Sequence, residues 1–503
     1  MAILPANVLI EDPESEWLRL AIPVTLVQDF APSRETIAFL AATDSASLEA
    51  GANQVLRTTV ETYRGRMRIT ATLTDTATQR TENVAKQQAP ESGGLIPALN
   101  KLAKQFDARA GSFPQTTDRA FQLFTRGVET QDVAARAGLL RQAIEADPHF
   151  GLAYVALLNA LASAGPAAVD PVLAQAVAQT NSFAPVERAR IAALRLHFAH
   201  APLDRQVSAD AAVLPYTPND VDQLTTVASG LYLEGDAHNA DRLMQRALLL
   251  SAGNAGVRQQ YARGLIETRR YRDAEKILIT LGNSPSVLAD LAFCVLLEGD
   301  RARAGSIAEK FFASSPSSDL RTLLRADWFA ASGEMPRAIA TVQQASFEQS
   351  SVRSLAFSQA ALWQAYAGDF AASQTLARAA QEGGTPAVAL LAQLLSRKPL
   401  SPAAWHDEVA ALERDSVSTP SRDLLAAYGL FLFGFYADSV NAWQALVNQS
   451  GGADLASRAM LAASLAHAGQ TAGGAATKVQ PFVPDLQNFY SAIPFIEMRR
   501  SLQ

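Results

Sequence analysis

The residue types that carry chemistry are sparse in this chain, and only one grouping has the spacing of a metal site. His197 and His200 are three positions apart, so they could share a helical face, and Asp204 follows shortly after. The pair ends an apolar run just before Ala-Pro, where histidines commonly interact with the unsatisfied carbonyls of a helix end. We favour this helix-end interpretation and expect neither a metal site nor a cofactor.

Other catalytic motifs are absent from the sequence. It contains no Gly-x-Gly-x-x-Gly, no Gly-Lys followed by Ser or Thr, and no zinc-protease or EF-hand spacing. The six histidines are scattered, and no nucleophile–base pair can be assembled from them. The single cysteine, Cys294, lies in the apolar run 291–297 and is expected to be a buried, inert side chain. The sequence therefore does not predict an enzyme.

Charged residues give weak hints about partners. The most basic cluster is interpreted as a solvated turn between helices, with recognition of an acidic partner segment as the alternative. The acidic stretch 11–16 suits a helix N-terminus. A net charge of −6 over 503 residues gives no reason to expect a basic face, so nucleic acid is not an expected partner. The basic cluster consists of Arg263, Arg269, Arg270 and Arg272.

The elements that must position these side chains are predicted to be helices. Hydrophobic residues make up 49% of the chain, charged residues 18% and aromatic residues only 7%, which excludes general disorder and favours closely packed helices. No apolar stretch is long enough to span a membrane. The first residues lack a basic segment and a cleavage site, so no signal peptide is predicted.

A signature recurs at intervals of about 34 residues across residues 221–475. An apolar helix ends at a glycine, which can adopt the left-handed conformation, and a following Asp can cap the next helix. A small residue stands five positions after the glycine, where two helices would cross. Two longer intervals each contain a degenerate unit, near Ala274 and at 401–404. The pairs are Gly235 with Ala240, Gly299 with Ala304, Gly333 with Ala338, Gly368 with Ser373, Gly434 with Ser439, and Gly469 with Gly474.

These residues resemble tetratricopeptide repeats (TPRs). The run 140–148, with Ala143 and Pro148, resembles the end of such a repeat, and Gly299 with Ala304 resembles its central turn. Each hairpin leaves an apolar face that only the next hairpin can cover. The expected fold class is mainly α: an α-solenoid of TPR-like helical hairpins preceded by a small α/β domain.

The N-terminal part has a different pattern. Strands are predicted within 3–10 and 35–40, and alternating residues in 54–63 and 66–74 predict a hairpin that turns at Arg64-Gly65. Helices are predicted at 14–28 and 96–109. The start Ile3-Leu-Pro, the run 51–56 and the hairpin 65–75 resemble the N-terminal domain of TolB and FlgO, which implies a bacterial envelope setting. The predicted domains are 1–112 (α/β), 113–220 (degenerate hairpins), 221–480 (regular array) and 481–503 (tail or cap).

If the hairpins stack as TPRs do, their first helices line a groove, and the ninth and twelfth residues of each unit point into it. A groove with aromatic side chains and isolated charges suits a peptide segment. The alternative is that these bulky residues fill an alanine-rich core. The residues predicted to contact a partner are Tyr232, Arg263, Phe293, Asp327, Tyr428 and Phe431.

The function expected from the sequence is a non-enzymatic protein–protein interaction scaffold of the bacterial envelope, with a peptide or protein bound in the groove. Two alternatives stay open: a sensory or regulatory segment of a membrane signalling protein, and a self-assembling subunit of a surface or secretion assembly. The expected location is the periplasm or cell envelope, with the cytoplasm as the alternative. Peripheral membrane association would require an N-terminal anchor outside this sequence.

Overall fold

The computed structural model divides the chain into two compact units. One comprises Met1–Leu231 with His238–Val257, and the other comprises Tyr232–Ala237 with Arg258–Gln503. The predicted fold class is confirmed, since helical hairpins follow a small α/β domain. The predicted domain boundaries stay a prediction. The structure describes residues 1–49, 51–90, 94–162, 166–251, 253–315, 317–381, 401–411, 419–470, 479–484 and 492–502.

The first unit begins with a mixed sheet of six strands in the order β3-β1-β4-β5-β6, with β2 also paired to β4. Strand β1 is parallel to both β3 and β4, whereas β4-β5 and β5-β6 are antiparallel. The predicted hairpin is confirmed, and Arg64 and Gly65 both have positive φ at its turn. The strands are β1 Ala2–Ile3, β2 Asn7–Val8, β3 Phe39–Leu40, β4 Gln54–Tyr63, β5 Arg66–Asp75 and β6 Thr81–Ala89.

Three helices accompany the sheet, and further helices follow in hairpins. Apolar side chains of the first and third helices share one core with the sheet, for example Leu26 and Leu99 with Leu56. The helices are α1 Leu18–Phe30, α2 Asp44–Glu49, α3 Leu95–Phe106, α4 Asp118–Glu129, α5 Val133–Ala146, α6 Gly151–Leu161, α7 Pro166–Ala178, α8 Pro185–Phe198, α9 Leu203–Ala211, α10 Val221–Glu234, α11 Ala237–Leu250 and α12 Ala255–Glu267.

The second unit continues the helical hairpins. Its apolar side chains form one continuous core that includes the C-terminal helix. Besides Arg258–Glu267 of α12, its helices are α13 Tyr271–Ile279, α14 Pro285–Glu298, α15 Arg301–Ala313, α16 Ser318–Ala331, α17 Met335–Gln344, α18 Ser350–Tyr366, α19 Phe370–Gln381, α20 Pro402–Ala411, α21 Thr419–Leu432, α22 Tyr436–Gln449, α23 Leu455–His467 and α24 Ala492–Leu502.

The repeat signature has the structural role that the sequence predicts. All six signature glycines have positive φ. At Gly299 the amide donates to Leu296 O, and the side chain of Asp300 caps the next helix by accepting from the Arg303 amide at 3.0 Å. The small residues that open the second helices are fully buried where the helices pack, while Gly474 lies outside the described residues. These small residues are Ala240, Ala274, Ala304, Ala338, Ser373 and Ser439.

The degenerate unit near Ala274 keeps the same turn without a glycine. Arg269 has a φ of 63°, and its amide donates to Ile266 O, just as the amide of Gly299 donates three residues back. A side chain in the left-handed region crowds its own backbone, at a cost of roughly 1–2 kcal/mol. The rest of the hairpin therefore holds Arg269 in a conformation that it would not adopt alone.

Replacing Arg269 by glycine should stabilise the second unit. We expect Arg269→Gly to raise the free energy of unfolding by roughly 1 kcal/mol, because the strain disappears while the turn is kept. Lys276→Gly, inside α13, is the control and should lower it by about 1 kcal/mol. Urea unfolding checks both, and a loss of stability in Arg269→Gly would contradict this account of the turn.

Two aromatic rings in the second unit pack directly on glycines. A Cβ atom added at Gly264 would lie 2.2 Å from the ring of Tyr232, and one added at Gly429 would lie 2.0 Å from the ring of Trp405. Both rings are fully buried. The glycines therefore allow helices with bulky side chains to approach closely.

Gly264→Ala should destabilise the chain by about 1–3 kcal/mol, because the Tyr232 ring must leave its packed position. Gly305→Ala is a matched control, since Gly305 is also helical but an added Cβ meets nothing within 4 Å. The control should stabilise by up to about 1 kcal/mol through helix propensity. Chemical unfolding measures both, and equal effects would show that the contact with Tyr232 is unimportant.

Candidate partner-binding groove

In the second unit, the first helices of successive hairpins form a face that is covered by the chain itself. Helix α24 packs against α16 and α23, and residues 492–498 are all buried. The segment Val479–Pro484 lies beside it, because Phe482 and Phe495 are in ring contact at 5.9 Å. C-terminal segments of this chain therefore cover the face on which the sequence places the groove, and binding of a partner there stays a prediction.

An aromatic cluster anchors α24 on this face. The ring of Phe495 meets the ring of Phe293 edge-on, with 5.1 Å between centroids. Phe293 also packs against Trp328 at 5.0 Å, so α14, α16 and α24 meet at one point. Such edge-to-face pairs add to the stabilisation from burial alone.

Polar contacts complete the docking of α24. The Glu497 carboxylate accepts hydrogen bonds from the Tyr366 hydroxyl and from Arg500, the latter at 2.7 Å. Arg499 donates to the carbonyl of Ala331 at 3.2 Å. Burial lowers the pKa of Arg499, and nearby Arg301 acts in the same direction.

The segment Val479–Pro484 is held by a buried cation. Arg458 is 5% exposed and donates to the Gln480 side chain at 3.3 Å and to the carbonyl of Leu233 at 3.4 Å. Gln480 in turn donates to the carbonyl of Tyr232 at 3.0 Å. Burial lowers the pKa of Arg458, and the opposite charge of Glu267 works against this shift.

A cavity of about 620 Å³ adjoins the end of this segment. Asp290 is 1% exposed and its Oδ2 accepts from Arg263 at 2.9 Å and from Gln259 at 2.8 Å, whereas its Oδ1 has no hydrogen bond within the described residues. Burial raises the pKa of Glu267 to about 7, against the opposing effect of Arg263 and Arg458. The lining residues are Arg263, Ile266, Glu267, Pro285, Ser286, Ala289, Asp290, Phe311, Phe482, Val483 and Pro484.

Five of the six residues predicted to contact a partner are buried in the packed chain. Their burial agrees with the alternative that bulky residues fill the alanine-rich core. Arg263 differs, because its side chain is 52% exposed and borders the cavity. Contact between these residues and a partner stays a prediction. The buried five are Tyr232, Phe293, Asp327, Tyr428 and Phe431.

Sequence analysis did not select Glu267, Asp290, Arg458 or Gln480, which surround the occupied part of the groove. One signal was present in the sequence. Asp290 is the only charged residue between Val287 and Leu297, and a carboxylate in an apolar helix usually has a specific partner. Arg458 and Gln480 had no comparable signal, because their partners are distant in the chain.

The other chemical groupings have structural partners. His197 bonds Asp210 at 2.9 Å, a contact that raises the histidine pKa, and His200 stands in a turn with positive φ. The Cys294 thiol donates to Tyr271 O, and burial raises its pKa to about 12. In the basic cluster, Arg272 pairs with Glu298. Across the described ranges, no His, Cys, Asp and Glu side chains gather in a group of three that could hold a metal ion.

Among the described residues, no helix combines the length and the apolar character that crossing a bilayer requires.

Comparisons with known proteins add little to this picture. No known protein family matches the sequence, and no curated protein does. Among solved structures, a human IFIT1 dimer with PPP-AAAA has 12% identity and a TM-score of 0.33, over 78% of this chain and 74% of that one. The human IFIT1 dimer with m7Gppp-AAAA has 13% identity and a TM-score of 0.27, over 80% and 75%. The TPR domain of P58(IPK) has 12% identity and a TM-score of 0.18, over 70% and 98%. These scores are low, so the fold rests on the helices described above and no functional argument rests on the comparisons.

Glu267 should make stability depend on pH. The pKa of the Glu267 carboxyl is about 7 in the folded chain, and its ordinary value is 4.5. Because the folded chain binds this proton more tightly than the unfolded chain, the free energy of unfolding falls as the pH rises between these two values. We expect Glu267→Gln to abolish the part of this decrease in stability that Glu267 causes. Urea unfolding at several pH values between the two pKa values measures the change. Asp29, whose pKa is also raised to about 7 by burial, lies in the first unit and contributes equally to both proteins. An unchanged pH profile in Glu267→Gln would contradict the assignment.

Proposed function

We propose that this chain is a non-enzymatic scaffold that binds a peptide or protein partner in the groove of its second unit. The observation that carries the proposal is that two segments of the same chain, Val479–Pro484 and helix α24, already pack on this face. The proposed point of entry for a partner is the cavity bordered by Arg263, Asp290 and Phe482.

The chemistry of the cavity suits an extended peptide with an acidic residue. Phe311 and Phe482 offer apolar surface, and Arg263 offers a half-exposed guanidinium. Guanidinium groups bind carboxylates through charge-assisted hydrogen bonds. Beneath Arg263, the buried Asp290 carboxylate accepts from its guanidinium and fixes the orientation of this cation at the cavity. The cavity volume lies within the usual range for small binding sites.

We further propose that the protein acts in the bacterial periplasm or cell envelope. This part rests on the resemblance of residues 1–112 to the N-terminal domain of TolB and FlgO. The net charge of −6 supports a protein partner over a nucleic acid.

Arg263→Gln should weaken binding of an acidic peptide. A random peptide library displayed on phage is selected on the intact chain, and the dissociation constant of the best peptide is measured by fluorescence anisotropy. We expect Arg263→Gln to raise this constant by about tenfold, the effect of losing one charge-assisted hydrogen bond.

The matched control is Arg258→Gln. Arg258 lies on the same helix and carries the same charge, but it bonds Thr280 and does not line the cavity. This control should bind like the parent, and circular dichroism confirms that both variants are folded. Equal weakening by both substitutions, or binding that neither affects, would refute the proposed site.

A further inference from the structure

Helix α24 covers a part of the groove that could serve a second helix. We propose that the surface beneath α24 is an interaction site for an amphipathic helix of a partner protein, one that presents an aromatic residue and a carboxylate two positions later. In the absence of this partner, α24 occupies the site. This inference rests on the proposed function, because both sites lie on the face formed by the first helices of the hairpins.

The partner's chemistry follows from the contacts of α24. Phe495 packs edge-on against Phe293, which in turn packs against Trp328, while the Glu497 carboxylate accepts a hydrogen bond from the Tyr366 hydroxyl. Apolar anchors on one helix packed into a groove of another protein are a recurrent mode of recognition. A partner helix with the same two groups at the same spacing would make the same contacts.

Helix α24 can dissociate from the groove without leaving a buried charge unpaired. Within the described residues, the groove contributes the neutral hydroxyl of Tyr366 and the carbonyl of Ala331 to the hydrogen bonds with α24, and water can solvate both groups. Glu497 forms an ion pair with Arg500 on the same helix, and this pair moves together when α24 dissociates. Leaving a buried charge unpaired is the costly outcome in such exchanges, and here it is avoided.

The neighbouring segment Val479–Pro484 provides a contrast. Arg458, a buried cation of the groove, donates a hydrogen bond to the side-chain oxygen of Gln480 in this segment. This hydrogen bond would be lost if the segment dissociated. We therefore expect this segment to stay bound while α24 exchanges.

The docked helix is also a weak structure by itself. It has 11 residues, and isolated helices below about 12–15 residues are marginal in water. In addition, burial lowers the pKa of Arg499 on α24, and repulsion from the like charge of Arg301 acts in the same direction. A partner helix without a cation at that position would avoid this repulsion.

Hydrogen exchange on the intact chain tests whether α24 opens by itself. We expect the amides of 496–502 to exchange at least tenfold faster than those of α23, and Glu497→Gln to speed their exchange by roughly tenfold further. Ser501→Ala, on the same helix, is the control that should leave the rate near the parent value, because among the described residues the Ser501 hydroxyl donates to the helix carbonyl of Glu497. Exchange of α24 at the rate of α23 in all variants would overturn the inference.

Binding in trans tests the site itself. A labelled synthetic peptide with the sequence of residues 492–502 should bind the Glu497→Gln chain at least tenfold more tightly than the parent, because the resident helix is weakened. Adding Tyr366→Phe should reduce this binding. No binding to any variant, or dimers of the Glu497→Gln chain in size-exclusion chromatography, would overturn the proposal, the latter in favour of a second copy. Failure here leaves the Arg263 comparison intact, so the two proposals can be judged separately.

Discussion

Close approach between neighbouring helices is the constraint on which the second unit depends. The crossings are made at buried residues with little or no side chain, such as Ala304, Ala338 and Ser439. A larger residue there would separate the helices and open the core. The same principle appears at Gly264 and Gly429, where a missing side chain makes room for an aromatic ring from a neighbouring helix.

The first helices of the hairpins in the second unit present an apolar face. Other parts of the chain must cover this face. In this chain the cover comes from Phe495 on α24 and from the segment Val479–Pro484. The face that the sequence assigns to a partner therefore stabilises the fold in this chain. Residues predicted to contact a partner, such as Phe293, are fully buried there.

The sequence predicts well what depends on local pattern. The signature glycines and small residues could be assigned because each has one conformational or packing role at a fixed spacing. Strand β6 was not predicted, because Thr81–Ala89 is mostly polar and exposed and lacks alternation. The occupants of the groove could not be predicted either, since repeat position identifies a helix face but does not show what covers it. The contact between Arg458 and Gln480 spans 22 residues and has no local signal.

The central claim is that the first-helix face binds protein segments and holds α24 in the isolated chain. The most direct test is site-specific photo-crosslinking with benzoylphenylalanine at position 495 of the intact chain in solution, followed by mass spectrometry. The account predicts intrachain products at α14, around Phe293, and at the segment around Phe482. Crosslinks only to parts of the chain other than α14, α16, α23 and the segment Val479–Pro484, or none within the chain, would contradict the claim.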